Sequence, residues 1–233
     1  MGAVSNYRRS LGAAQPSPAL RYDARSLSPQ TVGVTTWPNQ GQLGHGFDLL
    51  PASGMAPPGY VSAGVGMARP AVRFTGGDIL ETLPAFPATN GDFTLLLRFQ
   101  QADTGGQRNI FGTGVNGFAQ LRDLYISNNA VQLHTYGITR YGPGFAQSAW
   151  VTLAMRVRFA GGYAAYGGGY VEFNVNGQVS GGSDTLVWTD APVRLGGGYY
   201  TPLNRGNELL VSHLSLYSSF LSDNDLTAAL AAL

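Results

Sequence analysis

The chain reads as an all-β protein: antiparallel strands folded into a sandwich, with one short helix at the C-terminal end. Three observations predict this. Glycine (33) and proline (13) are abundant while charged residues make up only 12% and aromatics reach 11%, a balance that suits short strands joined by tight turns. From residue 71 onward apolar residues alternate with polar ones, the period of half-buried strands. Helical spacing surfaces only in the last dozen residues. At 233 residues the length suits either one sandwich or two small domains, and it can bury a core without disulfides or metals.

The elements follow in order. Residues 1–20 form an arm of small residues with Tyr7, Arg8 and Arg9 and a Gln15-Pro-Ser-Pro18 stretch, either a flexible terminus or a segment that docks on a partner subunit. Residues 21–233 form the sandwich domain. Its first part, to residue 68, is irregular, with short apolar pieces at Phe47-Asp-Leu-Leu50 and Gly59-Tyr-Val61. Then Phe93, Leu95, Leu97 and Phe99 share one strand face, Val151, Leu153, Met155, Val157 and Phe159 another, and Val171, Phe173 and Val175 a third. Asn128-Asn129 and Asn176-Gly177 sit where hairpins turn, because Asn and Gly tolerate the positive φ of a tight turn. Strands recur to residue 217 without the helices that parallel pairing requires. Ser222 caps a helix over 223–232, with Asp225 three residues on and Leu226, Leu230 and Leu233 forming one apolar stripe that packs over a sheet edge.

Several pieces in fixed order carry a family resemblance. They are Leu20-Arg-Tyr-Asp23, Trp37-Pro-Asn-Gln-Gly41, Pro58-Gly-Tyr-Val61, Arg69-Pro-Ala-Val-Arg-Phe74-Thr-Gly-Gly77, the Asp92–Phe99 strand, Trp150, Asn176-Gly177, Leu195-Gly-Gly197 and Leu216 through Leu226. Together they resemble the concanavalin A-like, laminin-G-like lectin/glucanase superfamily, in the versions found in phage and bacterial surface proteins. The resemblance spans about residues 20–233 and implies a two-sheet antiparallel jelly-roll sandwich.

Composition removes several functions. Net charge is +1, so no basic field recruits nucleic acid or an anionic membrane. All fourteen basic residues are arginine. Cysteine is absent, which excludes disulfides and thiolate chemistry. No apolar run approaches a membrane span, and residues 1–9 lack the apolar stretch of a signal peptide. The expectation is a protein made in a host cytoplasm that leaves in a virion, or else stays cytoplasmic.

The chemical motifs are sparse. Glycan hydrolases on the resembled fold carry Glu-x-Asp-x-x-Glu, since retaining hydrolysis needs two carboxyls about 5 Å apart. Here Glu81, Glu172 and Glu208 stand far from one another, and only a pair assembled from distant strands, such as Glu172 with an Asp, would serve. His45, His134 and His213 are isolated in sequence, and neither a Gly-x-Ser-x-Gly elbow nor a phosphate loop occurs. Calcium would suit loops holding Asp78, Asp92 and Asp103, yet no dense acidic loop supports it and ordinary turn aspartates explain them. The sequence thus predicts no cofactor and no enzyme.

Two surfaces are candidate binding sites. Tyr136, Tyr141, Tyr163, Tyr166, Tyr170, Tyr199 and Tyr200 cluster in glycine-rich stretches, where tyrosine offers a large amphipathic contact at low entropic cost. Their alternative role is packing over sheet edges. Strand alternation also places Arg156, Arg158, Glu172 and Asn174 on one outward face, joined by His134 if its strand is a neighbour. The expected function is a non-enzymatic, lectin-like adhesion protein on a virion surface, contacting host glycan or protein. Its arm would contact other virion subunits, and copies of the chain could self-associate. A purely structural decoration subunit is the alternative, and a glycan-degrading enzyme the third reading.

Overall fold

The computed structural model describes residues 15–29, 33–64, 67–87, 91–101, 108–113, 122–135, 138–159, 168–185, 191–197 and 208–233. The strands are β1 (Leu20–Asp23), β2 (Leu49–Pro51), β3 (Gly59–Val61), β4 (Ala71–Phe74), β5 (Leu80–Thr82), β6 (Phe93–Gln101), β7 (Arg108–Thr113) and β8 (Arg122–Ser127). They continue with β9 (Ala130–Thr135), β10 (Ile138–Gly144), β11 (Trp150–Phe159), β12 (Gly168–Val175), β13 (Gln178–Thr185), β14 (Val193–Leu195) and β15 (Leu209–Tyr217). One helix follows, α1 (Asp223–Ala231).

Two antiparallel sheets result. The first, sheet A, runs β13-β12-β11-β6-β15-β4-β3, with β1 also paired to β15; the second, sheet B, runs β10-β9-β8-β7-β14-β5-β2. Alternation puts Leu95, Leu97, Phe99, Val151, Leu153, Val171 and Phe173 on the inner face of sheet A. Leu124, Ile126, Val131 and Leu133 come from sheet B, and all belong to one buried cluster. Period-two side chains from both sheets fill one core, as in β-sandwiches generally.

The motifs read from the sequence have structural reasons. Trp37 is fully buried and meets Tyr22 edge-on, with ring centroids 6.0 Å apart. Asn39 wires the following turn to β1: its Oδ1 accepts from Arg21 N at 2.8 Å and Gly41 N at 2.9 Å, and its Nδ2 donates to the Gly44 carbonyl at 2.9 Å. Residue 41 must be glycine, because a Cβ there would stand 2.4 Å from the Ala19 carbonyl oxygen. The two pieces of the Arg69–Gly77 and Leu195-Gly-Gly197 pattern meet in space, with Gly196 lying directly on the Phe74 ring. Both hairpins turn as predicted, with positive φ at Asn128 (51°), Asn129 (55°), Asn176 (52°) and Gly177 (87°).

Two expectations change. The helix forms with Ser222 as its cap, its Oγ accepting from Asp225 N at 3.2 Å, but it covers a face of sheet A instead of an edge. Leu226 and Leu233 pack there on Leu96, Ala154, Tyr217 and Leu221, a second apolar cluster on the far side of sheet A from the main core. The arm also ends earlier than residue 20. Gln42 N donates to the Pro18 carbonyl at 3.0 Å and Ala19 N to the Leu216 carbonyl at 2.8 Å, so residues 18–20 are built into the sandwich. Tyr7, Arg8 and Arg9 lie outside the described residues.

Candidate functional site

The outward row predicted on sheet A does not form an open site. Arg156 points outward but is buried beneath the start of α1. Its Nε donates to Glu172 Oε1 at 2.8 Å, and its Nη1 donates to the Leu221 carbonyl at 2.9 Å and to Asp223 Oδ1 at 2.6 Å. Burial works against the guanidinium charge, but the bonds to Glu172 and Asp223 outweigh it and raise the pKa above the ordinary arginine value. Arg158 is exposed and stacks on Phe220, 4.1 Å from the ring centroid. Asn174 Oδ1 accepts from Gly177 N at 2.9 Å and so braces the hairpin. These side chains are engaged in holding the fold.

His134 does not join them. Its strand β9 lies in sheet B, between β8 and β10, and its Nδ1 sits 3.2 Å from Thr139 Oγ1 across the β9–β10 pair. The strand sequence carries no label for the sheet it joins, so the condition that its strand be a neighbour is not met.

The remaining candidates separate cleanly. Tyr136, Tyr163, Tyr166, Tyr199 and Tyr200 lie outside the described residues. Tyr141 and Tyr170 are described, and both are at one corner of the sandwich. There β10, at the end of sheet B, approaches β12 and β13, the last strands of sheet A. The Arg140 guanidinium donates to the Ser183 carbonyl and stitches the two sheets together. Beside it opens a cleft of about 230 Å³, lined by Tyr141, Val171, Phe173, Ser180, Gly181 and Gly182 among others.

The cleft combines apolar and polar groups. Val171 and Phe173 give it an apolar floor, and Tyr141 stands 66% exposed at its rim. Gly181 belongs to the cleft wall and also carries the Tyr170 ring: a Cβ there would fall 2.5 Å from the Tyr170 hydroxyl. Ser180 Oγ is shielded from solvent and has no hydrogen-bond partner among the described residues. Because β10 and β13 end their sheets among the described residues, their outer backbone N–H and C=O groups are offered at the cleft margin.

Exposed apolar side chains are few among the described residues. The large ones are Met55, Leu83, Tyr141, Tyr170 and Val179. The last three sit on β10, β12 and β13, whereas Met55 and Leu83 follow β2 and β5, at the opposite end of sheet B. Of these only Tyr141 lines the cleft; Tyr170 and Val179 lie on the outward face of sheet A.

Carboxylates are mostly accounted for. Glu81 Oε2 accepts from Arg194 Nε at 2.8 Å, Glu172 is held by Arg156, and Asp78 Oδ2 accepts from Thr75 N at 2.8 Å as a turn aspartate. No group of three or more potential metal ligands occurs among the described residues, and Asp103 lies outside them.

No protein-family model matches the sequence, and neither does any curated protein sequence. Solved structures do match. A Trypanosoma rangeli sialidase in complex with the inhibitor DANA aligns at TM-score 0.62 and 16% identity, over 94% of this chain and 34% of its own. The botulinum neurotoxin type G receptor binding domain aligns at TM-score 0.60 and 7% identity, over 92% of this chain and 51% of its own. The botulinum neurotoxin serotype D binding domain gives TM-score 0.58 at 10% identity, over 93% and 51%. The chain therefore spans about a third to a half of the structures it resembles. What is shared is the fold, a two-sheet antiparallel β-sandwich.

The comparison corrects one expectation. The missing Glu-x-Asp-x-x-Glu spacing led the sequence to be read as no enzyme, yet the same sandwich forms part of sialidase chains. That motif belongs to one hydrolase pattern, and its absence does not separate this fold from glycosidases.

Proposed function

We propose that this sandwich is a recognition module that binds glycan at the cleft between β10, β12 and β13. The observation that carries the reading is the exposed Tyr141 at the rim of a small cleft with an apolar floor from Val171 and Phe173 and polar strand edges. Ligand sites generally combine such a floor with a few directed polar groups. A sugar ring offers what the cleft complements, an apolar face for a tyrosine ring and hydroxyls for backbone groups. The similar structures support the class, since one is a sialidase crystallised with sialic acid and another is named a receptor binding domain.

A glycan array probed with the wild-type chain, Tyr141→Ala and, as a control on the opposite face of β12, Tyr170→Ala tests the reading. Binding that the wild type shows, Tyr141→Ala loses and Tyr170→Ala keeps supports it. Equal binding by all three refutes the cleft as the site.

The finer reading is that the module is displayed on a virion and contacts a host surface, with the arm that precedes residue 18 docking it to other subunits. It rests on the sequence resemblance and on the arm. Deleting residues 1–14, which precede the first residues tied to the sandwich, should abolish incorporation into particles while leaving the isolated chain folded. Normal incorporation of the deletion variant removes the docking role.

A further inference from the structure

A second polar constellation lies on the other flank of sheet A. The β1–β15 pairing sets Asp23 opposite His213, and a bulge between Val211 and His213 brings His213 and Ser215 onto the same outward side. His213 Nε2 lies 2.7 Å from Ser215 Oγ, and His213 Nδ1 lies 3.6 Å from Asp23 Oδ2. The second distance is a close electrostatic contact, longer than a hydrogen bond. All three residues are at most 5% exposed. Burial opposes ionisation of Asp23, but interactions with His213 and Arg25 outweigh it and hold the carboxyl well below the usual range. An ionised carboxylate beside Nδ1 favours the tautomer with hydrogen on Nδ1, which leaves Nε2 to accept from the serine hydroxyl.

The arrangement faces a cavity. About 200 Å³ opens beside His213, Ser215, Arg21 and Tyr217, bounded by residues 15–18 and by the last residues of α1. Arg21 Nε is shielded from solvent and has no hydrogen-bond partner among the described residues. A hydroxyl on a histidine, the histidine beside a carboxylate, and an arginine at the same cavity are the parts that acyl transfer uses, recognisable by geometry and not by chain order.

We propose that Ser215 is a nucleophile activated by His213, with Asp23 as the positioning residue, and that this site cleaves short-chain carboxylic esters. The cavity is smaller than a typical ligand pocket, so only a small acyl group enters it. Ser215 Oγ bonds to the acyl carbon while its proton passes to His213 Nε2. The C–O bond to the alcohol breaks, and the departing oxygen takes that proton. Water then attacks the acyl-serine, giving a proton to Nε2, and Ser215 Oγ leaves with it as the acid is released. Arg21 supplies positive charge for the oxyanion formed in each half. The site is separate from the cleft proposed for recognition and stands or falls independently.

The purified full chain treated with an ethyl fluorophosphonate probe tests this. The serine oxygen displaces fluoride from phosphorus, and peptide mass spectrometry locates the adduct. The expected result is one adduct, on Ser215, absent in Ser215→Ala and formed at least tenfold more slowly in His213→Gln. In the wild type the labelling rate should rise with pH and level off once His213 is neutral. Burial first, and then the charges of Arg21 and Arg25 against that of Asp23, bring this titration below the ordinary histidine value. Arg98 on β6 is opposite His213, and Tyr217 lines the same cavity; residues 15–18 and the end of α1 bring no titratable side chain. An unmodified Ser215 in folded protein or labelling unaffected by His213→Gln would overturn the proposal. Each would leave the three residues as a structural tie between β1 and β15.

Discussion

Arg156 Nη1 stands 2.6 Å from Asp223 Oδ1, so a mid-strand residue of sheet A holds the first turn of α1. The same guanidinium is bound by Glu172, and its side chain is 9% exposed while that of Asp223 is 89% exposed. Arg156→Ala should therefore destabilise the fold by about 3 kcal/mol, the scale for breaking a buried pair. Asp223→Asn should cost far less, because an exposed carboxylate contributes little. Chemical denaturation of the two variants checks the order.

Gly196 and Phe74 give a sharper steric prediction. At Gly196 φ is +83° and an added Cβ would lie 2.2 Å from Phe74 Cδ1, whereas at Gly76 φ is +66° and nothing lies within 4 Å. Gly76→Ala should cost about 1 kcal/mol from backbone conformation alone. Gly196→Ala should add about 1–3 kcal/mol of overpacking to that. Thermal unfolding of both variants separates the two terms.

Acid should unfold the protein in two stages. His213 titrates below its ordinary value of 6.5 when folded, because burial disfavours its charge, so the unfolded chain binds the proton first. Its contribution is fully present above pH 6.5 and is lost as pH falls toward the folded pKa. Asp23 behaves likewise from its ordinary 3.8 downward. The melting temperature should begin to fall below pH 6.5, and His213→Gln should lack that first limb while keeping the second.

The sequence revealed what is local. Side-chain alternation in β6, β11 and β12 needs only neighbours two residues apart, and the Asn176-Gly177 turn declares its own φ. Pairing is not local, and there the sequence was silent. Nothing in Val131-Gln-Leu-His134 says that its strand belongs to sheet B, and nothing joins Asp23 to His213 until β1 meets β15. One non-local feature is nevertheless written in the strands themselves. The outward positions of β6 and β11 run Thr94-Leu96-Arg98 and Thr152-Ala154-Arg156, and the apolar Leu96 and Ala154 mark where the leucine stripe of α1 docks. That covering is why Arg156 and Glu172 brace the helix and the open cleft lies elsewhere.

The central claim is that recognition occurs where β10 meets β12 and β13. The most direct measurement is a backbone amide NMR titration of the labelled chain with the glycan that binds best on an array. The account predicts chemical-shift changes concentrated on Tyr141, Gly142, Gly181 and Gly182, abolished in Tyr141→Ala. Changes confined to another surface, such as residues 58–64 beside β3, would contradict it.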